Sequence, residues 1–82
     1  MRRYTQGQEA ILQQVRCNAC GKEMQVRKGM LVEECFHGKN VFGYFSEKDG
    51  VCEEFDLCEK CYQEMVRHFQ IEVTRTEVTE LL

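Results

Sequence analysis

The chain has 82 residues, of which 30% are charged, with six cysteines, no proline, no tryptophan and a formal net charge of −3. A chain this short buries only a modest apolar core and usually needs a staple: disulfides, a metal or a partner subunit. No segment approaches the roughly 20 apolar residues of a membrane span, and "MRRYTQGQEAILQQVRC" holds no apolar run of signal-peptide length, so a single soluble, cytoplasmic domain over residues 1–82 is expected, with no membrane partner.

In a reducing compartment, paired cysteines point to metal binding or catalysis before disulfides. The charge is also uneven. Residues 1–30 carry six Lys/Arg (Arg2, Arg3, Arg16, Lys22, Arg27, Lys28) against two acids, while residues 31–82 carry five against twelve. A nucleic-acid module usually shows a basic footprint over the whole domain. Here only the first third offers one, so a nucleic-acid partner is not favoured.

In chain order, residues 1–14 read as an N-terminal extension. Within it "QEAILQQV" suits a short helix, although Ile11, Gln13 and Val15 equally suit a strand leading into the first cysteine pair. From Lys22 to Phe55 the texture turns to β-formers. "MLVEECF" and "VFGYF" are rich in β-branched and aromatic residues, with turn-forming "HGKN" and "EKDG" after them. This predicts a three-stranded antiparallel meander near 30–36, 41–46 and 51–55.

A helix follows in "FDLCEKCYQEMVRHF". Asp56 is placed as N-cap with Glu59 three residues on, the capping-box arrangement. Tyr62, Val66 and Phe69, with Met65 beside them, form an apolar stripe at helical spacing, expected to pack as core against the meander. "IEVTRTEV" then suits an edge strand or a tail, and residues 77–82 read as frayed. The fold class expected is a small α+β metal-stabilised domain, the meander plus a C-terminal helix.

The cysteines carry the chemistry. Cys17–Cys20 in "CNACG" and Cys58–Cys61 in "CEKC" give C-x2-C-x37-C-x2-C. Zinc accepts a tetrahedron of four thiolates at about 2.3 Å each, and a two-residue spacer lets one turn present both sulfurs of a pair to one metal. Gly21 suits a tight knuckle needing positive φ. Cys58 and Cys61 are placed on one face of the first helical turn, where orphan N–H groups and the positive dipole end favour thiolate over thiol. The expected ligands are therefore Cys17, Cys20, Cys58 and Cys61 around one Zn²⁺ per chain, with iron as the runner-up.

A knuckle, then β-hairpin strands, then a second CxxC in the first turn of a helix resembles the treble-clef arrangement among zinc-ribbon and zinc-finger domains. "GYFSEKDG" followed by "FDLCEKCY" also resembles a set of small bacterial proteins of similar length. The resemblance covers roughly residues 15–75 and implies the same four zinc ligands. The chain departs from common zinc fingers in its 37-residue spacer and in lacking a basic recognition helix, which argues against DNA reading.

Cys35 and Cys52 are left over. The expected register sets Cys35 opposite Phe42 and Phe55 and Cys52 opposite Phe45 and Val32, on the other face, so they do not bond and are read as small buried hydrophobes. A Cys35/His37 nucleophile lacks an orienting carboxylate and an oxyanion site in recognisable order. His68 lies seven residues past Cys61, about 10 Å along the helix, out of reach of the same metal. No catalytic residue is assigned, and the chain reads as a non-enzyme. The function expected is a structural zinc domain serving as a protein-interaction module. A nucleic-acid binder using the basic first third and a redox-sensing cysteine protein are the alternatives.

Overall fold

The computed structural model describes residues 1–7 and 10–78. It is a small α+β structure of short antiparallel strands and one C-terminal helix. Three strands, β1 (Arg2–Tyr4), β2 (Leu12–Arg16) and β3 (Glu23–Met24), form one sheet in that order. β4 (Val26–Arg27) and β5 (Met30–Leu31) form a tight hairpin. β6 (Cys35–Val41) and β7 (Cys52–Cys58) form a third, separate sheet, and α1 (Glu59–Arg67) follows directly.

The N-terminal segment settles as strand. Val15 pairs with Arg2 on one side and Met24 on the other, and is fully buried, so its β-branched side chain closes the small core from the middle of the sheet.

The three-stranded meander is not what forms. Residues 30–31 pair with 26–27 across a Lys28–Gly29 turn in which both residues take positive φ, the backbone that two-residue hairpins require. The remaining two strands make one long hairpin with Cys35 opposite Cys58 and Val41 opposite Cys52. "HGKN" lies inside β6 instead of forming a turn. Two tertiary contacts override its turn propensity: His37 is tied to Asp56 across the strands, and the Phe36 and Phe55 rings lie over Gly38, where a Cβ would come within 2.8 Å of the Phe55 ring. The chain reverses instead through loop 42–51, where "EKDG" does form turns and Phe42 and Val51 close the ladder at 2.9 Å.

The helix also starts later than expected. Cys58, the last residue of β7, occupies the N-cap with extended backbone and no side-chain cap bond, while Asp56 sits two residues earlier in β7 and is buried. The expected capping box is therefore absent. No residue of α1 is buried. Tyr62 packs against the core, but Met65 and Phe69 are 36% and 48% exposed, so the stripe is only partly covered. Residues 70–78 take no regular structure, so of the two readings, edge strand or tail, no strand forms within them. The rest of the expected tail, residues 79–82, lies outside the described residues.

The core is Val15, Met24 and Leu57 with Cys17 and Cys58. Three aliphatic side chains meet two of the four paired thiols, so the centre of the molecule and the cysteine cluster are one place.

Candidate metal centre

Two chain segments bring the cysteines together. Cys17 follows the last residue of β2, and residues 18–20 turn so that the Gly21 N–H bonds to the Cys17 carbonyl at 2.9 Å. Gly21 has φ +82, a conformation that costs glycine least. The Cys17 N–H donates to the Lys22 carbonyl at 2.9 Å, closing the knuckle, and the Lys22 N–H reaches the Cys20 sulfur at 3.5 Å. On the other side, Cys58 ends β7 and Cys61 is the third residue of α1. They straddle the strand-to-helix junction and do not share a helical turn.

The four Sγ atoms of Cys17, Cys20, Cys58 and Cys61 all lie within 4.8 Å of one another. A tetrahedron of thiolates at about 2.3 Å from one metal has sulfur–sulfur edges of about 3.8 Å, and Cys20 and Cys58 are already 3.9 Å apart. The donor set fits a metal ion. Cys17 and Cys58 are buried, Cys61 half-buried and Cys20 exposed, so the cluster is open on the knuckle side.

The thiols are electrostatically unequal. Burial opposes the charge on Cys17, but backbone N–H groups of Cys58, Cys20 and Ala19 outweigh it and lower its pKa to about 6. Cys61 is pushed up to about 12, first by its hydrogen bond to Cys58 and then by those to Cys17 and Cys20. Crowded thiols cannot all ionise without a cation among them.

Behind the cluster stands Asp56, which sequence reading misassigned. Its Oδ1 accepts from Arg2 Nε and from His37 Nδ1, each at 2.9 Å, and its Oδ2 accepts from the Met1 ammonium at 2.9 Å. Its backbone N–H donates to Asn18 Oδ1, and its carbonyl accepts from the Asn18 N–H at 2.8 Å. Asp56 thus joins the N-terminal strand, the hairpin and the knuckle. Burial works against its charge, but the bonds from the ammonium, Arg2 and His37 hold its carboxyl well below the usual carboxylate range. A period-two signal was present: Glu54, Asp56 and Cys58 alternate onto one strand face.

The leftover residues fall differently from expectation. Cys35 and Cys52 stand at opposite ends of the hairpin, opposite Cys58 and Val41 respectively. Cys35 is half-buried, but Cys52 is exposed and is no core residue. The Cys35 thiol donates to Asp56 Oδ1 at 3.6 Å. Its pKa is raised, first by burial and then by the Asp56 charge, so it stays a protonated thiol and a poor nucleophile. His37 points its other nitrogen at Glu54, 3.4 Å away. His68 is exposed beside Glu64.

Half of the basic residues of the first third are tied internally, while Arg3, Arg27 and Lys28 are exposed. Arg2 bonds Asp56, Arg16 Nε donates to the Gly21 carbonyl at 3.0 Å, and Lys22 pairs with Glu33. No helix among the described residues is long and apolar enough to cross a membrane. No protein-family model matches this chain, and neither does any curated protein or any solved structure.

Proposed function

We propose that this chain is a structural zinc module in which Cys17, Cys20, Cys58 and Cys61 hold one Zn²⁺, and that the folded unit serves as a docking surface for another protein. The observation that carries the metal reading is the convergence of two CxxC pairs, 37 residues apart in sequence, into one group of sulfurs within 4.8 Å. When bound, the ion cross-links the knuckle to the strand–helix junction. Four thiolates leave no open position for a substrate, which favours a structural over a catalytic role. Zinc is preferred to iron because it imposes no ligand-field geometry and tolerates such a set in structural sites. The order of knuckle, hairpin and helix-borne cysteine supports a treble-clef-like assignment. A cytoplasmic location belongs to the same reading, since thiolate ligands must stay reduced.

The protein-partner part rests on exposed aromatics. Tyr44 and Phe45, at the tip of loop 42–51, are 85% and 99% exposed and meet edge-to-face at 5.4 Å. Clustered exposed apolar groups mark interaction surfaces.

Elemental analysis of the purified protein tests the metal claim. One zinc per chain is expected. Stoichiometric iron, or no metal in a protein that stays folded, refutes it.

A further inference from the structure

The hairpin and helix enclose a groove whose chemistry selects an occupant. Tyr62 on α1 lies 5.1 Å from Phe36, and Phe36 lies 5.9 Å from Phe55, centroid to centroid. The three rings form a ladder from the helix to Gly38, on the face that strand alternation separates from His37 and Asp56. Phe36 and Phe55 are each 38% exposed, so their ring edges and part of their faces meet solvent.

At the helix end of this ladder is a cavity of about 290 Å³ lined by Glu34, Cys35, Phe36, Glu59 and Tyr62. It opens into a groove of about 840 Å³ that runs along α1 and shares Glu34, Glu59 and Tyr62 with it. One wall of that groove is the half-covered stripe that continues to Val66 and Phe69, and the other is residues 72–76, which bring Glu72 and Arg75 to it.

The charged residues lining the small cavity are two carboxylates, Glu34 and Glu59. Around it Lys22 pairs with Glu33 and Arg67 with Glu64, while Lys60 stands next to Glu59 in sequence and Arg75 lines the outer groove. Among the described residues no cation pairs with Glu34 or Glu59, and Glu59 accepts only the Gln63 amide at 3.3 Å. Glu59 also stands directly between Cys58 and Cys61. On the zinc reading, on which this inference rests, a four-thiolate centre with two net negative charges adds to the same potential.

Aromatic faces beside free carboxylates match one side chain best. A guanidinium is planar, weakly hydrated, stacks on rings and donates in a fork to carboxylates. We propose that the cavity between β6 and α1 docks an arginine side chain of a protein partner, with the guanidinium against Phe36 and Tyr62 and its N–H groups on Glu34 and Glu59. From Tyr62 to Phe69 the stripe runs about 10 Å, the span of about three extended residues.

The test is fluorescence anisotropy of the metal-loaded full chain with a labelled, end-capped hexapeptide of alternating arginine and alanine. Matched peptides carry lysine or uncharged citrulline in place of arginine. The arginine peptide is expected to bind about tenfold more tightly than the citrulline peptide, with lysine between them. Glu34→Gln with Glu59→Gln, both at exposed positions, should weaken arginine-peptide binding about tenfold. Glu47→Gln with Asp49→Asn removes the same charge at the far hairpin tip and should change it less than about twofold.

Equal losses in the two double variants would reduce the effect to overall charge and overturn the docking site. So would a lysine peptide that binds as tightly as the arginine one, or absence of binding by protein carrying one zinc per chain. That last outcome leaves the zinc reading intact. Conversely, protein without metal that still binds arginine through Glu34 and Glu59 sinks the zinc reading and leaves the groove standing.

Discussion

Asp56 carries more of the structure than any other single polar residue. It is 1% exposed and ionised, and it accepts from the N-terminal ammonium, Arg2 and His37 at once. Asp56→Asn keeps the shape but removes the charge and forces one oxygen to become a donor. The expected loss is on the order of 2 kcal/mol, read as a lower urea midpoint at pH 7, since hydrogen bonds to charged groups contribute about 1.5–3 kcal/mol each and the partners here are partly solvated. The sign of its pH dependence follows from the lowered pKa. A carboxylate depressed on folding stabilises above its unfolded pKa of about 3.9, and that contribution is lost as pH falls through the folded value. The Asn penalty should therefore not fall between pH 7 and pH 5, and it grows there as far as the imidazole of His37 takes up a proton beside Asp56. A penalty that fades within that window would mean the carboxylate is not its source. At the cluster, Cys58→Ser should abolish both metal content and cooperative folding. Cys52→Ser, at an exposed site away from the cluster, should leave both unchanged by elemental analysis and circular dichroism. The four paired cysteines were legible because metal spacing is a local property of sequence. The role of Asp56 was not, because an acid before a CxxC reads equally as a helix cap, and only long-range partners decide between cap and buried anchor.

At the level of elements, the β6–β7 hairpin shows how pairing overrides turn propensity. "HGKN" has the composition of a turn, yet its residues pair in register with Phe55 to Glu53 and Asp56. The ring contact at Gly38 makes this testable. A Cβ there would sit 2.8 Å from the Phe55 ring and 3.0 Å from the Phe36 ring, so Gly38→Ala forces the rings to move. A cost of about 1 kcal/mol is expected from overpacking that flexible side chains partly absorb, measured as a lower thermal midpoint with altered near-ultraviolet dichroism. An unchanged melt and spectrum would show that the ring ladder does not lie over Gly38. In the other hairpin Gly29 has φ +75 and Ile11 within 2.8 Å of a would-be Cβ, so two independent constraints hold glycine there. The dipeptide Lys28–Gly29 was a readable turn signal between Val26 and Leu31, but two-residue strands bury too little to stand out as a hydrophobic pattern.

The whole molecule is loosely built. Its radius of gyration is 15.6 Å, against about 12 Å for a compact domain of this length, and among the described residues only five hydrophobic residues are buried, two of them cysteines. Metal binding of about 10–16 kcal/mol is comparable to or larger than the roughly 5–15 kcal/mol of net stability of a typical domain. Chelation of the loaded protein at pH 7 should therefore collapse the dispersion of its amide resonances, and added zinc should restore it. A spectrum indifferent to chelator would refute the structural role of the metal. The sequence by itself determined the two CxxC pairs that come together, the α+β class and the C-terminal helix, since these depend on spacing and periodicity within short windows. Only the tertiary structure decided the strand partners, the start of the helix after Cys58, the anchoring of the N-terminus on Asp56 and the half-open aromatic groove. Most of these depend on contacts between segments far apart in sequence, and weak local preferences yield there to burial and pairing.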